Sequence, residues 1–195
     1  MTSEIREENL VMKHLLIANR GEIAIRIAQT AADVGLVTTA IHAEDDADSL
    51  HIRRTDNAIG LPGTGPAAYL DIGSVIAAAR DAGADAIHPG YGFLSENSNF
   101  ASAVVDAGLI FVGPSAEALA LFGDKLRARE HAALVGVPVL TGSEGPLDTH
   151  GARDFLKNLG TGGAIMIKAV TGGGGRGMRP IESGKELKEK GVEFV

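Results

Sequence analysis

Cysteine is absent from this chain, basic residues are fewer than acidic ones, and no apolar run approaches the length needed to span a bilayer. The absence of cysteine excludes disulfide bonds, thiolate metal sites and cysteine nucleophiles, and it fits a cytoplasmic protein. The 18 basic and 25 acidic residues give a formal net charge of −7, whereas a general nucleic-acid binder would show a basic face. The N-terminal stretch MTSEIREENLVMKHLL lacks the hydrophobic region of a signal peptide. We therefore expect a cytoplasmic protein that contacts neither nucleic acid nor membrane.

Two common phosphate-binding motifs are also missing. The P-loop pattern, in which a second glycine is followed by Lys and Ser or Thr, does not occur. The first predicted turn, in ANRGEIA, supplies one glycine where the dinucleotide fingerprint G-x-G-x-x-G needs several. These absences weaken the case for a nicotinamide-binding role.

Strand and helix patterns alternate through the first part of the chain. HLLIA (14–18) predicts a buried strand, EIAIRIAQTAADVG (22–35) has helical periodicity and ends at a glycine, and LVTTAIH (36–42) predicts a second strand. Such a crossover requires parallel strands that are covered by helices. The alternation continues to about residue 122, so we predict an open α/β domain over 1–122.

The remaining elements follow from the same patterns. We predict strands over 57–61, 85–89, 109–114 and 163–169, and helices over 46–54, within 65–83, and over 96–108, 115–123, 124–136 and 152–160. Asp124 is a plausible N-cap of one helix. The segment GMRPI (177–181) is expected to pair with the last strand as a hairpin. This strand, glycine-rich loop, strand rhythm differs from that of the first part of the chain. It indicates a second domain, which we begin at about residue 123.

The second domain contains the segment KAVTGGGGRGMR (168–179), in which four consecutive glycines follow a strand that ends in Lys168. Glycines let successive backbone N–H groups converge into a nest that attracts anions. With Lys168 and Arg176 beside it, the expected anion is a polyphosphate. A flexible linker is the alternative, although linkers usually mix in serine and rarely follow an apolar strand that ends in lysine.

Six segments occur in the order and spacing of one known family: LLIANRGEIAIRI, HPGYGFLSEN, FVGPS, GDK, GVPVLTGSEGP and IKAVTGGGGRGMR. On these motifs the chain resembles biotin carboxylases over about residues 12–182. The resemblance implies a Rossmann-like, pre-ATP-grasp domain over 1–122, followed over 123–195 by the incomplete beginning of an ATP-grasp domain. It also implies that ATP and bicarbonate form carboxyphosphate, and that the carboxyl group passes to biotin on a carrier protein.

The resemblance assigns nucleotide contacts to the second domain. Lys168 and Lys125 match lysines that contact ATP, and a lysine is a mobile point charge suited to phosphate oxygens. Without the resemblance, Lys125 would be a surface lysine early in a helix. The family's glycine-rich lid over the ATP phosphates is matched in this chain by Gly172, Gly173, Gly174 and Gly175. Thr171 stands where the family often has a further glycine, which should slightly stiffen the entrance of the lid.

Further positions are implied in the first domain. Tyr91 and Gly92 match residues near biotin. Arg20 and Glu22 match positions around the first turn and the subunit interface, and we interpret Arg20 as structural or interfacial. For His88 and Glu96, a hydrogen bond that supports the fold is at least as plausible as catalysis, and Glu96 could instead bind a cation or cap the helix near Asn97.

Several motifs of the family do not occur in this chain. The paired acidic residues for Mg²⁺ (or Mn²⁺), the E-M-N strand and the arginine that acts on bicarbonate and biotin are missing, as is the biotin-attachment motif A-M-K-M. We therefore assign no catalytic residue or metal ligand to this chain, and expect it to be inactive alone. The implied partners are biotin carboxyl carrier and carboxyltransferase domains or subunits, with a homo-oligomer at full length.

Other interpretations stay open at the level of sequence. The chain could be a non-catalytic binding or oligomerisation module, or part of another ATP-grasp ligase of the carbamoyl-phosphate synthetase type. The acyl-CoA and pyruvate branches are not separated, although the alanine-rich sequence looks more like the acyl-CoA type. Three of the seven lysines, at 185, 188 and 190, lie close together. They indicate either a truncation tail of different origin or a solvated helix.

Overall fold

The computed structural model describes residues 12–143, 145–168, 178–184 and 186–187. These residues divide into two units, with the boundary between Gly123 and Asp124. The glycine run, Thr171 and Arg176, together with the lysines at 185, 188 and 190, lie outside the described residues.

A five-stranded parallel sheet forms the centre of the first unit. Its spatial order is β3-β2-β1-β4-β5. The strands are β1 (His14–Ile17), β2 (Val37–His42), β3 (Asn57–Gly60), β4 (Ala86–His88) and β5 (Ile110–Phe111). Two 3₁₀ turns and five helices connect and cover them: Glu44–Asp46, Ile52–Arg54, α1 (Gly21–Asp33), α2 (Gly65–Ala68), α3 (Ile72–Asp81), α4 (Ser98–Asp106) and α5 (Ala116–Gly123).

Helices cover both faces of this sheet, as expected from the sequence. Leu16 belongs to a core cluster with Val75 of α3 and Phe100 of α4. Its neighbours in β1 belong to a second cluster with α1, to which Ile27 contributes. Because successive side chains of a strand point to opposite faces, β1 contributes to two cores. The predicted α/β class with a parallel sheet is thereby confirmed.

The predicted helix over 46–54 is wrong, because only the 3₁₀ turns Glu44–Asp46 and Ile52–Arg54 overlap its two ends. Asp46 accepts a hydrogen bond from the Ser49 hydroxyl and also binds Arg20. A carboxylate that bonds locally in this way competes with regular helix formation. Elsewhere the differences concern boundaries. The strand predicted over 109–114 is limited to Ile110–Phe111. α3 begins separately from α2, because the Asp71 carboxylate caps α3 by accepting from the Ser74 amide at 3.1 Å.

The second unit contains α6 (Lys125–Leu134), α7 (Thr149–Asn158) and a two-stranded sheet of β6 (Ile165–Lys168) and β7 (Met178–Ile181). The strands are antiparallel, with Lys168 opposite Met178, which confirms the predicted hairpin pairing. The N-cap role of Asp124 is also confirmed, since its carboxylate accepts from the amides of Leu126 and Arg127 at 2.9 and 3.1 Å. A small apolar cluster forms in this unit around Ala152, Leu156, Ile181 and Leu187.

Of the helices that the structure describes, none combines the length and apolar character that crossing a membrane requires.

Candidate functional site

The candidate site of the first unit lies where the loops after β1 and β4 meet. The chain extends from β1 to β2 and β3 on one side, and then returns to β4 on the other side. In open parallel sheets, ligands bind outside the carboxyl ends of the strands at such a switch point. His88 ends β4 and the loop that follows carries Tyr91 and Gly92, so three of the positions implied by sequence resemblance lie here.

Asn19 connects these two loops from a fully buried position. Its Nδ2 group donates to the carbonyl oxygens of Pro89 at 2.7 Å and Tyr91 at 3.0 Å, and its Oδ1 atom accepts from the Arg20 amide at 2.9 Å. Sequence reasoning missed this residue. The only available signal was an asparagine directly after a predicted buried strand. The two carbonyl groups to which Asn19 donates lie about 70 positions away along the chain.

Gly90 is the point of closest approach between the loops. Its φ is +67°, and a Cβ atom there would lie 2.6 Å from Nδ2 of Asn19 and 2.8 Å from Cγ2 of Ile23. Gly92 has a φ of +71°, but a Cβ atom there would meet nothing within 4 Å. Both positions therefore favour glycine for backbone reasons, and only Gly90 also requires it for space.

Tyr91 and Glu22 meet on the outer side of this junction. The Tyr91 hydroxyl donates to Oε2 of Glu22 at 3.2 Å, and the Tyr91 side chain is exposed. The two positions, which are widely separated in sequence, are thus brought together. Glu96 is exposed at the residue before Asn97, and it is Asn97 whose side chain caps α4 by accepting from the Phe100 amide at 3.0 Å.

His88 ends β4 and is half-buried. Its Nδ1 atom accepts a hydrogen bond from the Gly90 amide at 3.0 Å. Burial lowers the pKa of His88, and the charge of Arg26 lowers this pKa further. A neutral imidazole is required for Nδ1 to accept this bond.

Arg20 forms an ion pair with Asp46 beside the same junction. Its Nε and Nη2 atoms donate to the two carboxylate oxygens of Asp46 at 2.5 and 2.8 Å. The Tyr69 hydroxyl also donates to Asp46, at 2.7 Å. The Arg20 guanidinium holds the pKa of Asp46 well below its usual range. Burial and the Asp46 carboxylate raise the pKa of Tyr69 to about 12.

The second unit carries the two lysines predicted to bind nucleotide. Lys168 is the exposed last residue of β6, and Lys125 is the exposed first residue of α6. Lys168 pairs with Met178, and these are the two described residues that flank segment 169–177. The four glycines predicted to form the lid lie within that segment, outside the described residues.

Within the described part of the chain, no three histidine, aspartate or glutamate side chains come together in a way that could hold a metal ion.

The first unit is by its topology and its switch-point loops a Rossmann-like α/β domain. Residues 11–119 match the model of the biotin carboxylase N-terminal domain, and residues 124–193 match that of the ATP-binding domain of the carbamoyl-phosphate synthase L chain. The chain therefore belongs to the biotin carboxylase family, as its motifs indicate. The second match includes the lysines at 185, 188 and 190, so these residues lie within the region of family similarity.

Similar proteins are considerably longer than this chain. Mitochondrial pyruvate carboxylase of Mus musculus is 45% identical over 94% of this chain and 16% of its own length. Biotin carboxylase of Haemophilus influenzae is 44% identical over 92% of this chain and 40% of its own length. The chain thus spans less than half of each relative, and these nearly equal identities do not separate the branches of the family.

A solved structure with the same fold is the biotin carboxylase domain dimer of Hydrogenobacter thermophilus 2-oxoglutarate carboxylase, in complex with MgADP, ADP and bicarbonate. It superimposes with a TM-score of 0.85 at 37% identity, over 94% of this chain and 40% of that one.

Proposed function

We propose that this chain forms part of an ATP-dependent biotin carboxylase, which uses ATP, bicarbonate and carrier-bound biotin to produce carboxybiotin. The observation that carries the proposal is the position of Lys168, which is exposed at the end of β6, directly before the sequence segment that holds the glycine run. A cation beside a run of glycines suits the oxygens of a polyphosphate. Family membership makes ATP the expected ligand.

In this proposal the two predicted domains have separate tasks. Residues 123–195 begin the ATP-grasp domain: Lys125 and Lys168 bind phosphate oxygens, and the amides of Gly172–Gly175 close over them. Residues 1–122 form the Rossmann-like domain, which presents Tyr91 and Gly92 near the biotin ring. Arg20, Glu22, His88 and Glu96 support this edge of the first unit or a subunit interface.

Mg²⁺ or Mn²⁺ would supply positive charge that offsets the charge of the ATP phosphates. We place its ligands and the catalytic groups in the part of the carboxylase that this chain does not span. The same reasoning implies carboxyl carrier and carboxyltransferase partners, a homo-oligomer at full length and a cytoplasmic location.

ATP binding by the 195-residue chain tests the role of Lys168. We expect Lys168→Ala to weaken ATP binding roughly tenfold or more in isothermal titration calorimetry, because a charge-assisted contact to phosphate is lost. Lys157→Ala is the matched control: Lys157 belongs to the same unit, but its Nζ atom donates to Asp154 on α7 at 3.2 Å. Equal affinities of the two variants, or no binding by the unmodified chain, would refute ATP binding through Lys168.

A further inference from the structure

The loop that carries Tyr91 is held from beneath by a buried amide. Both hydrogens of the Asn19 carboxamide are used, one on the carbonyl of Pro89 and one on that of Tyr91, and its oxygen is used by the Arg20 amide. The side chain is fully buried, so water cannot replace these bonds when they are lost. By contrast, the bond between Tyr91 and Glu22 is exposed and 3.2 Å long.

The contact with the Tyr91 carbonyl sets the direction of a whole peptide group. Because a trans peptide is planar, its C=O and N–H point in opposite directions. With the Tyr91 oxygen directed inward to Asn19, the Gly92 N–H is directed away from it. Gly92 is exposed, and a Cβ atom there would meet nothing within 4 Å. The Asn19 amide thus fixes the orientation of the Tyr91–Gly92 peptide group.

We propose that Asn19 is a positioning residue, whose carboxamide holds Tyr91 and Gly92 in the orientation that receives the biotin moiety. The identity of this ligand rests on the proposed function, whereas the positioning itself rests on the contacts of Asn19. A loop that is already ordered before binding avoids the cost of ordering it, which increases affinity. The close packing of Gly90 on Nδ2 of Asn19 strengthens the constraint.

The test uses Asn19→Asp in the full 195-residue chain. Aspartate has nearly the same shape and keeps an acceptor for the Arg20 amide, but an ionised carboxylate has no hydrogen to donate to Pro89 or Tyr91. Asn97→Asp is the matched control. The Asn97 side chain caps α4 as an acceptor, a role that aspartate preserves.

The readout is ¹⁹F NMR of chains labelled with 3-fluorotyrosine. The chain has two tyrosines, of which Tyr69 is buried in the first unit and reports on folding, while Tyr91 reports on the loop. We expect Asn19→Asp to move the Tyr91 resonance towards its position in the denatured chain and to leave that of Tyr69 in place. Asn97→Asp should change neither. An unchanged Tyr91 resonance in Asn19→Asp would overturn the proposal.

If the Tyr69 resonance shows that Asn19→Asp does not fold, Asn19→Ser is tested in the same way, because serine retains one donor without a charge. Displacement of Tyr91 alone supports positioning, whereas no displacement, or joint displacement of both resonances, refutes it.

Titration with free biotin separates this proposal from the proposed function. We expect biotin to shift the Tyr91 resonance of the unmodified chain, and Asn19→Asp to require roughly threefold to tenfold more biotin for the half-maximal shift. No biotin shift in the unmodified chain, together with a displaced Tyr91 in the variant, would refute the biotin assignment but not the positioning. A biotin shift of equal midpoint in both chains would refute the positioning but not the assignment.

Discussion

At the scale of single residues, Asp46 connects several parts of the first unit. Its carboxylate accepts from Arg20, Ser49 and Tyr69. The Asp46 side chain is 9% exposed, whereas that of Arg20 is 47% exposed, so solvent partly screens the ion pair. The depressed pKa of Asp46 makes this stabilisation dependent on pH.

We expect Asp46→Asn to lower the free energy of unfolding at pH 7 by about 1–3 kcal/mol, because charged hydrogen bonds are lost. The folded-state pKa of Asp46 lies below its unfolded value near 4. The stabilisation is therefore present above that unfolded value and is lost as the pH falls below it, towards the folded-state pKa. Urea unfolding at pH 7 and pH 3 should show a smaller difference between variant and unmodified chain at the lower pH.

Asp48→Asn is the control, since Asp48 is exposed in the same acidic segment and its loss should have little effect. Asp56 and Asp85, whose pKa values are also lowered by backbone amides, contribute to acid sensitivity in both chains and cancel in the comparison. A stability difference between Asp46→Asn and the unmodified chain that does not change with pH would contradict the role of Asp46.

At the scale of elements, α6 depends on its cap more than on its packing. Among the described residues of this helix none is buried, so burial contributes little to its stability. The Asp124 carboxylate satisfies two amides that have no partner within the helix. The same cap defines the helix start, at which Lys125 is the first residue.

We expect Asp124→Ala to destabilise the first turn of α6 by about 0.5–2 kcal/mol, whereas Asp124→Asn should retain most of the cap. Hydrogen exchange at the Leu126 and Arg127 amides should accelerate in the alanine variant. Asp148→Ala is the control, because it removes the cap of α7 in the same unit and should leave these two amides unchanged. Equal exchange rates in the alanine and asparagine variants would show that the cap has no such role.

Sequence patterns predicted most elements because apolar periodicity reflects burial, and burial on both faces explains the apolar run of β1. The segment over 46–54 was mispredicted because Asp46 bonds with Arg20 from another element, and a local pattern does not contain that partner. Within the candidate site, the motifs pointed to Tyr91 and Gly92. Asn19 was missed because its partners are brought to it only by the pairing of β1 with β4.

At the scale of the whole molecule, this chain spans a minor part of its longer relatives, while the family match runs through nearly all of it. The proposed function can therefore be tested by transferring this segment into a relative. Residues 12–182 can replace the corresponding segment of the Haemophilus influenzae biotin carboxylase, with which this chain is 44% identical.

We expect this chimera to hydrolyse ATP in a bicarbonate-dependent manner with free biotin, and the 195-residue chain alone to show no turnover. The reason is that a metal ion would have to offset the phosphate charge, and we place its ligands in the part supplied by the relative. The chimera carrying Lys168→Ala should lose activity. Turnover by the purified chain alone would contradict the placement of the metal ligands, and a folded but inactive chimera would contradict the proposed function.

The sequence by itself determined the α/β class, the chain order of the strands and of most helices, and the family, because these follow from periodic burial and from motifs that are contiguous in the chain. Only the tertiary structure decided that Asn19 supports the loop of Tyr91, that Tyr91 meets Glu22, and that Arg20 pairs with Asp46. These contacts join residues that are distant along the chain, and parallel pairing of the strands brings them to one edge of the sheet.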